Sequence, residues 1–314
     1  MKDQFGREIN YLRLSVTERC TLRCVYCRSD EGLCPKAEEL SATQLIEITK
    51  ACAELGIAKV RITGGEPLLR RDLTEIIAGI KAIDCIVDIS LTTNAQDLKA
   101  QAQQLKDAGL NRLNISMDSL KPARFEALTG GNLLKVLEGI DAALMVGLTP
   151  VKVNCVLMKD VNDDEIDDFI NLTRDKPIDV RFIEYMPIGE SGAGKVRINN
   201  QDILAKRPEL KPVQPRYAGQ PSKDYRIEGY MGRVGLISPI SHRFCADCNR
   251  IRVMSDGTLR ACLGEENEVS LKPVMDKGHE AIRALIESTI FNKPRGHKFG
   301  CAPLTERNMS RIGG

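Results

Sequence analysis

Short apolar stretches alternate with longer segments of helical periodicity through the first part of the chain. The strand-like stretches are rich in β-branched residues and occupy residues 12–16, 59–62, 88–91, 112–115, 151–157 and 179–183. Helical patterns lie between them at residues 41–56, 73–83, 97–108, 133–146 and 164–174. Ser41 is a suitable N-cap for the first helix, and glycines follow several of the helical patterns.

This alternation predicts an α/β fold in which parallel strands are joined by crossover helices. Six units fall short of the eight in a closed barrel, so residues 1–190 are expected to form a partial, open (β/α)6 TIM-like barrel. The pattern stops after Pro187, and a Gly-rich linker follows at residues 189–195. Residues 191–314 are expected to form a smaller C-terminal region of hairpins with a late helix near residues 280–290, which caps the open barrel face.

Charge and hydropathy exclude several classes of protein. The net charge is +2, Trp is absent and aromatic residues make up 4% of the chain, which argues against a nucleic-acid-binding protein. No run of about 18 apolar residues is present, and residues 1–9 lack the apolar core of a secretory signal. A cytoplasmic location without membrane contact is therefore expected.

The cysteines are more informative than the composition. Eleven cysteines, an odd number in a reducing compartment, make a poor disulfide framework. Six of them form two groups, which we name the first cysteine group (Cys20, Cys24, Cys27) and the second cysteine group (Cys245, Cys248, Cys262). Cys52, Cys85 and Cys155 lie in apolar segments and are expected to act as small hydrophobic residues, whereas Cys34 and Cys301 receive no assignment.

The first cysteine group follows the first predicted strand directly. Spacings of four and three residues place three thiolates on one loop, and thiolates are suitable ligands for zinc or for an iron–sulfur cluster. Three cysteines leave one iron of a four-iron cluster open to another ligand. A zinc site or unrelated core cysteines remain the alternatives, and Cys34 is the only fourth ligand nearby.

The second cysteine group spans a predicted hairpin. If Asp256 and Gly257 are the two central turn residues, Ile251 pairs opposite Cys262, and Cys262 returns beside Cys245 and Cys248. Three thiolates again favour a cluster. The alternative is a zinc ribbon completed by His242 or Cys301. Two other histidines have no ligand spacing and are expected at the surface: His279 and His297.

The C-x3-C-x2-C motif with Tyr26 resembles the signature of radical S-adenosylmethionine enzymes. Gly64-Gly65-Glu66-Pro67, one βα unit later, resembles the second motif of those enzymes. The resemblance implies that S-adenosylmethionine binds the open iron of a [4Fe–4S] cluster and is cleaved to a 5′-deoxyadenosyl radical. It also implies that the Gly-Gly-Glu-Pro loop receives the methionine amino group.

The whole chain is similar to the GTP 3′,8-cyclases of molybdenum cofactor biosynthesis (the MoaA family). The resemblance is carried by the second cysteine group with Asn249-Arg250-Ile251-Arg252, by Leu91-Thr92-Thr93-Asn94, by Asn114-Ile115-Ser116-Met117-Asp118, by Arg181-Phe182-Ile183-Glu184-Tyr185-Met186 and by the Gly313-Gly314 end. It implies a lyase that takes a hydrogen from ribose C3′ of GTP and joins C3′ to guanine C8, with a second [4Fe–4S] cluster that holds the base. Further partners implied are a flavodoxin- or ferredoxin-like electron donor and the next enzyme of molybdopterin synthesis. The oligomeric state stays open, with a homodimer among the options.

The resemblance also implies roles for individual residues. Contacts to S-adenosylmethionine are expected at Tyr26, Gly64, Gly65, Glu66, Ser116 and Met186, and contacts to GTP at Arg13, Arg61, Thr92, Lys152, Arg250, Ile251 and Arg252. The catalytic candidates are Arg13, Lys152, Arg181, Gly313 and Gly314, the last two because the tail of the family reaches the active site. The cluster ligands are Cys20, Cys24, Cys27, Cys245, Cys248 and Cys262.

The basic candidates also make physical sense together. GTP carries about four negative charges, and a site for it requires arginine forks. Cations inside a barrel are unfavourable unless an anion lies among them. For any single basic residue, a salt bridge or a solvated position is the simpler explanation. Two departures from the family pattern concern loop shape: Arg28-Ser29-Asp30 replaces Met-Pro, and Ala95 replaces glycine.

Two other functions remain open on the sequence alone. One is a radical enzyme with an auxiliary cluster that modifies peptides, which would share the first cysteine group and the Gly-Gly-Glu-Pro loop. The other is a zinc-stabilised nucleic-acid-binding protein. Metal analysis separates the second from the rest, because it would contain zinc without iron or labile sulfide.

Overall fold

A computed structural model of the protein describes residues 1–27, 38–186, 188, 198–217, 219–297, 299, 309 and 311–312. Its helices are α1 (Ala42–Glu54), α2 (Leu73–Lys81), α3 (Leu98–Asp107), α4 (Pro122–Thr129), α5 (Leu133–Met145), α6 (Ile166–Asn171), α7 (Asn200–Ala205), α8 (Lys272–Met275) and α9 (His279–Phe291). Every helix in these ranges is too short or too polar to cross a bilayer.

The described strands form one sheet. They are β1 (Tyr11–Ser15), β2 (Lys59–Thr63), β3 (Asp88–Thr93), β4 (Arg112–Ser116), β5 (Val151–Leu157), β6 (Ile178–Glu184), β7 (Lys211–Pro212), β8 (Lys223–Arg226), β9 (Val234–Ile237), β10 (Arg250–Val253), β11 (Thr258–Arg260) and β12 (Glu268–Ser270). Their order in the sheet is β12-β11-β10-β1-β2-β3-β4-β5-β6-β9-β8-β7.

The six parallel strands β1 to β6 form the centre of this sheet in chain order, as the alternating pattern predicts. The apolar residues of these strands and of the helices beside them join one buried core, as expected of parallel strands covered by helices. The α/β partial-barrel prediction is confirmed.

The C-terminal region extends the barrel sheet at both edges, an arrangement that the sequence analysis does not predict. β10 pairs parallel with β1, with Arg252 opposite Arg13, and β9 pairs parallel with β6. An open barrel has two edge strands whose backbone groups need partners. The hairpins of the C-terminal region supply those partners and thereby place the second cysteine group beside the barrel.

The hairpin between β10 and β11 differs from the prediction by one residue. Arg252 lies opposite Arg260, and the Met254 amide donates to the Thr258 carbonyl at 2.8 Å, so the loop has three residues rather than two. Gly257 has a φ of 83°, the left-handed conformation at the end of such a loop. The predicted pairing of Ile251 with Cys262 is therefore wrong, although Cys262 does return to the side of the other two cysteines.

Local signals account for most helix ends. Ser41 is the N-cap of α1, as expected, and it forms a capping box with Gln44. The sequence analysis missed α4, which has Pro122 in its first turn and ends at the left-handed Gly130. Ala95, where the family pattern has glycine, has a φ of 61°. Glycine adopts this conformation without strain, which explains the family preference.

An ion-pair cluster joins α9 to α1, and it makes the stability depend on pH. His279 contacts Glu54 at 2.8 Å and also Glu47, which together raise the pKa of the imidazole. A raised folded-state pKa adds stability below about pH 6.5, and this stability is lost as the pH rises through the folded pKa. Denaturant unfolding at pH 6 and pH 9 should show that His279→Gln destabilises only at pH 6, by less than about 1 kcal/mol because solvent screens the cluster. An equal effect at both pH values would contradict the assignment.

Candidate active site

One cavity contains both cysteine groups. Its wall includes residues at and after the carboxyl ends of the parallel strands, among them Gly64, Thr92, Ser116 and Asn154, together with all six cysteines. The carboxyl ends of barrel strands are where barrel enzymes carry out their chemistry. This central cavity measures about 2110 Å³ with its open mouth included.

The first cysteine group lies on the loop after β1. The Cys27 amide donates to the Cys24 carbonyl at 3.0 Å, and the Leu22 amide lies 3.4 Å from the Cys20 sulfur. Nδ2 of Asn94, after β3, lies 3.7 Å from the same sulfur. Burial and the neighbouring Cys27 raise the pKa of the Cys24 thiol. Three thiols that oppose one another's ionisation in this way favour a cationic iron centre as their partner.

The glycines of the Gly-Gly-Glu-Pro loop let it pack against the cysteine loop. The Gly65 amide donates to the Thr17 carbonyl at 2.7 Å, and a Cβ on Gly65 would lie 2.3 Å from the Arg19 carbonyl oxygen. Only glycine fits so close to another backbone. Gly64 and Gly65 line the central cavity, in agreement with the predicted cofactor contact.

Glu66 has a different position from the two glycines. Its carboxylate accepts hydrogen bonds from the Thr93 hydroxyl and the Asn94 amide, both at 2.7 Å, and from the Leu68 amide at 3.0 Å. It is not among the residues lining the cavity. Burial raises its pKa to about 7 in spite of these donors. Glu66 thus connects the loop to the end of β3, and its contact with the cofactor stays a prediction.

The remaining predicted cofactor residues line the cavity next to the first cysteine group. They are Tyr26, Ser116 and Met186. The Tyr26 hydroxyl donates to Asp118 at 2.5 Å, and the Val156 amide donates to the same carboxylate at 2.8 Å. Burial raises the pKa of Asp118 to about 6. Asp118 therefore fixes the tyrosine ring relative to β4 and β5.

The second cysteine group begins on a short 3-10 turn, Cys245–Asp247. The guanidinium of Arg250 lies 3.7 Å from the Cys248 sulfur and 4.9 Å from the centre of the Phe244 ring. Burial raises the pKa of Cys248, but the charges of Arg250 and Lys293 bring it down to about 7. The site favours the thiolate, which is the form that binds metal.

His297 lies at this site and not at the surface, so that expectation is wrong. It lines the central cavity, and its Nε2 lies 2.9 Å from the Pro239 carbonyl oxygen. A hydrogen bond with His297 lowers the pKa of Cys245. Sequence spacing gives no hint of this contact, because His297 is far from the cysteines along the chain.

No three His, Cys, Asp or Glu side chains of the described residues are gathered tightly enough to hold a single metal ion. A four-iron cluster is larger than an ion, so this spacing does not conflict with it. Three soft thiolate donors on each of two walls fit two iron–sulfur clusters.

Arginines form much of the remaining wall. The five that line the cavity are Arg13, Arg61, Arg181, Arg250 and Arg252. Burial and the Arg250 charge lower the pKa of Arg252 to about 9, and burial and the Arg61 charge lower that of Arg181 to about 10. Arginine remains protonated even so. The lowered pKa values therefore reflect the burial and mutual repulsion of these cations, which an anion among them would relieve.

Two predicted GTP contacts lie away from this wall. Ile251 belongs to the buried core between the two arginines of β10. Lys152 is 1% exposed and lies 4.6 Å from the centre of the Tyr217 ring. Burial and the charges of Arg181 and Arg112 lower the pKa of Lys152 to about 6. Thr92, by contrast, lines the cavity, with its buried hydroxyl lacking a partner in the described part of the chain, and its contact with GTP stays a prediction.

Several residues at the site were not predicted from the sequence. Tyr217 lies within about 5.5 Å of three cations, Lys59, Arg112 and Lys152, and comes from the loop after β7. Asn94 and Asp118 stood within recognised motifs but received no role. No motif or spacing in the sequence singles out Lys293.

Several residues of the sequence analysis lie outside the described residues: Arg28, Ser29, Asp30, Cys34, Pro187, the linker at residues 189–195, Cys301, Gly313 and Gly314. The preceding Ile312 is described and is 1% exposed. Its carbonyl accepts a hydrogen bond from Arg252 at 3.2 Å. Ile312 is thus attached to the cavity wall through Arg252.

Comparison with known proteins decides the family. A model of the radical SAM superfamily matches residues 14–173, and a model described as Molybdenum Cofactor Synthesis C matches residues 178–299. The GTP 3′,8-cyclase of Alkaliphilus oremlandii is 49% identical over 100% of both chains. That of Listeria monocytogenes is 46% identical over 100% of this chain and 99% of its own. The chain belongs to the GTP 3′,8-cyclase family.

Solved structures agree on the fold. SuiB of Streptococcus suis has a TM-score of 0.65 at 14% identity, with 91% of this chain and 66% of that chain covered. The hydrogenase maturase HydG of Carboxydothermus hydrogenoformans has a TM-score of 0.52 at 18% identity, with 63% and 49% covered. At such low identity the likeness concerns the radical SAM fold alone. The family membership removes the support for the peptide-modifying and zinc-dependent nucleic-acid-binding alternatives.

Proposed function

We propose that the chain converts GTP into 3′,8-cyclised GTP, the first step of molybdenum cofactor biosynthesis. One observation carries the proposal: five arginines line the same cavity as both cysteine groups. Such a wall suits a polyanion held between two metal centres. The relatives that share the full length of the chain carry the same name for their activity.

The residues present fit the cofactors of a radical S-adenosylmethionine enzyme. The first cysteine group would hold a [4Fe–4S] cluster, and Tyr26, Gly65 and other residues of that wall would hold S-adenosylmethionine. When bound, these groups supply the 5′-deoxyadenosyl radical that takes hydrogen from ribose C3′. The second cysteine group would hold another cluster beside the guanine base.

The protein's own residues then bind and orient the substrate. The arginines of β1, β2, β6 and β10 attract the triphosphate and replace the water that it loses. With the base at the second cysteine group, the ribose lies between the two groups. This orientation lets the C3′ radical reach C8 of the same nucleotide rather than another molecule.

Individual roles rest on this placement. Arg13 and Arg181 lie in the wall and would contact the triphosphate directly. Lys152, beneath Tyr217, would act from deeper in the barrel. Gly313 and Gly314 are proposed as catalytic on the resemblance alone, as their positions lie outside the described residues.

An anaerobic assay tests the activity. The protein is reconstituted with iron and sulfide, and dithionite, S-adenosylmethionine and GTP are added. We expect 5′-deoxyadenosine and a cyclised GTP isomer by mass spectrometry. If 5′-deoxyadenosine forms while GTP stays intact, the substrate is wrong. If neither forms with loaded clusters, the reaction class is wrong.

The partners are proposals of the same kind. The cluster must be reduced before it can donate an electron, which requires a flavodoxin- or ferredoxin-like donor. The cyclised product would pass to the next enzyme of molybdopterin synthesis. A homodimer and a cytoplasmic location stay predictions.

GTP binding should be accompanied by proton uptake. Lys152 has a pKa of about 6, so it is largely neutral at pH 8 in the free protein. A bound triphosphate favours the charged form and raises that pKa. Phosphate groups are fully ionised at pH 8, since their second pKa is about 6. Calorimetry in buffers of different ionisation enthalpy should show uptake approaching about one proton per GTP.

Lys152→Met is the control for this measurement. The variant should still bind GTP, more weakly, but without the proton uptake. Wild-type binding at pH 8 without uptake would show that Lys152 does not respond to the substrate.

A further inference from the structure

Two buried cations next to the second cysteine group have no part in the function described so far. They are Arg7, in the N-terminal segment before β1, and Lys293, just after α9. Arg7 is 8% exposed and Lys293 is 1% exposed. Buried cations are unfavourable unless their hydrogen bonds are satisfied. The hydrogen-bond partners of Arg7 and Lys293 therefore indicate the role of these two side chains.

Arg7 binds a row of backbone carbonyls. Its Nη1 donates to the Cys245 carbonyl at 2.9 Å and to the Arg295 carbonyl at 3.0 Å. Its Nη2 donates to the Pro294 carbonyl at 2.6 Å. Its Nε pairs with Asp3 at 2.6 Å, which fixes the plane of the guanidinium. Arg7 therefore attaches the first cysteine of the group to the segment that follows α9.

Lys293 belongs to that same segment and binds the other two sides of the site. Its Nζ donates to the Arg250 carbonyl at 2.9 Å and to the Ala261 carbonyl. Arg250 is two residues after Cys248, and Ala261 precedes Cys262. Lys293 thus joins the two ends of the β10–β11 hairpin where they carry the cysteines.

The two cations are linked through the backbone. Nη2 of Arg7 lies 3.4 Å from the carbonyl oxygen of Lys293 itself. Contacts therefore run without a break from Cys245 through Arg7 and Lys293 to the segments that carry Cys248 and Cys262. Lys293 also lines the central cavity.

We propose that Arg7 and Lys293 form a clamp that sets the spacing of Cys245, Cys248 and Cys262, so that the second cluster binds only while both are in place. Both are positioning residues, since they act on the cysteines through the backbone. The inference rests on the proposed function only for the identity of the metal group. It makes the N-terminal segment a structural part of the C-terminal cluster site.

The spacing of the cysteines alone would not achieve this. Cys262 is separated from Cys248 by a hairpin and from Cys245 by a further turn, and the hairpin loop has three residues. The strands and the loop fix the register of this hairpin, but they do not fix its distance from the turn that carries Cys245, which Arg7 and Lys293 connect to it. Hydrogen bonds from charged donors are strong enough to fix this distance.

Iron content in two backgrounds tests the clamp. In Cys24→Ala, only the second cysteine group can load, and in Cys248→Ala only the first can. Each background is combined with Lys293→Met, Lys293→Arg, Arg7→Met or the exposed control Lys277→Met. All proteins are reconstituted anaerobically. Iron and sulfide per chain are then measured, and the electron paramagnetic resonance signal of the reduced cluster is recorded.

The clamp predicts a selective result. Lys293→Met and Arg7→Met should lose at least half of the iron in the Cys24→Ala background and none in the Cys248→Ala background. Lys293→Arg should recover part of the loss, because a guanidinium can also donate to two carbonyls. Lys277→Met should match its parent in both backgrounds.

Other results overturn the proposal. Loss of iron in both backgrounds would mean that the cations serve folding in general. Full iron in the Cys24→Ala background for both Met variants would mean that the cysteines do not need them. Neither outcome depends on turnover of GTP, so a failure of the clamp can be told apart from a failure of the proposed function.

Discussion

Cys24→Ala is expected to abolish the formation of both 5′-deoxyadenosine and cyclised GTP. The remaining two cysteines of the first group cannot hold a four-iron cluster with one open iron. Iron per chain should fall by about half, from roughly eight to roughly four, because the second cysteine group is unaffected. Mass spectrometry of the reaction mixture and colorimetric iron analysis measure the two effects.

Cys85→Ala is the matched control. Cys85 is an exposed cysteine that takes no part in the cavity wall. The same chemical change there should leave iron content and product formation at wild-type levels. Product formation by Cys24→Ala at a substantial rate would remove the basis for the radical mechanism.

Arg61→Met is expected to weaken GTP binding without harming the fold. Arg61 lies in the cavity wall, and its Nε has no hydrogen-bond partner within the described residues. Loss of one charged contact to the triphosphate costs about 2–3 kcal/mol, or about 30- to 150-fold in Kd. The melting temperature of the substrate-free protein should stay the same or rise, because the substitution removes the desolvation of this cation and its repulsion of Arg112 and Arg250, which together outweigh its attraction to Tyr11.

Arg112→Met provides the contrast. Arg112, on β4, is buried, whereas Arg61 is half-buried, and it is paired with Asp88 through Nε at 2.9 Å and through a second bond from Nη2. Its removal should destabilise the fold by about 2 kcal/mol or more, because the carboxylate loses its partner. The effect on GTP binding should be smaller than that of Arg61→Met. Calorimetric titration and thermal unfolding of both variants decide the matter, and a destabilised Arg61→Met with normal GTP affinity would contradict the assignment.

The contrast between Arg61 and Arg112 shows why the sequence alone could not identify the substrate site. Arg61 and Arg112 are both arginines on barrel strands, and the local pattern around each is similar. One has an acidic partner on the neighbouring strand and the other does not, which depends on the register between β3 and β4. The resemblance to a family singled out Arg61, and the contacts in the structure explain why.

The hairpin of the second cysteine group illustrates a second limit. Asp256-Gly257 is a strong turn signal, but two-residue and three-residue loops both use it. The observed loop has three residues, and β10 is also paired with β1, with Arg252 beside Arg13. Pairing with a strand more than two hundred residues away is not visible in the local pattern.

The sequence by itself determined the six parallel strands, the two cysteine groups and the glycines of the loop after β2. These features are local, because periodicity, ligand spacing and close backbone approach each depend on residues near one another in the sequence. The tertiary structure decided that both cysteine groups share one cavity, that His297 and Lys293 belong to it, and that Arg7 reaches Cys245. Those contacts join segments distant along the chain, and only the pairing of β9 and β10 with the open edges of the barrel brings them together.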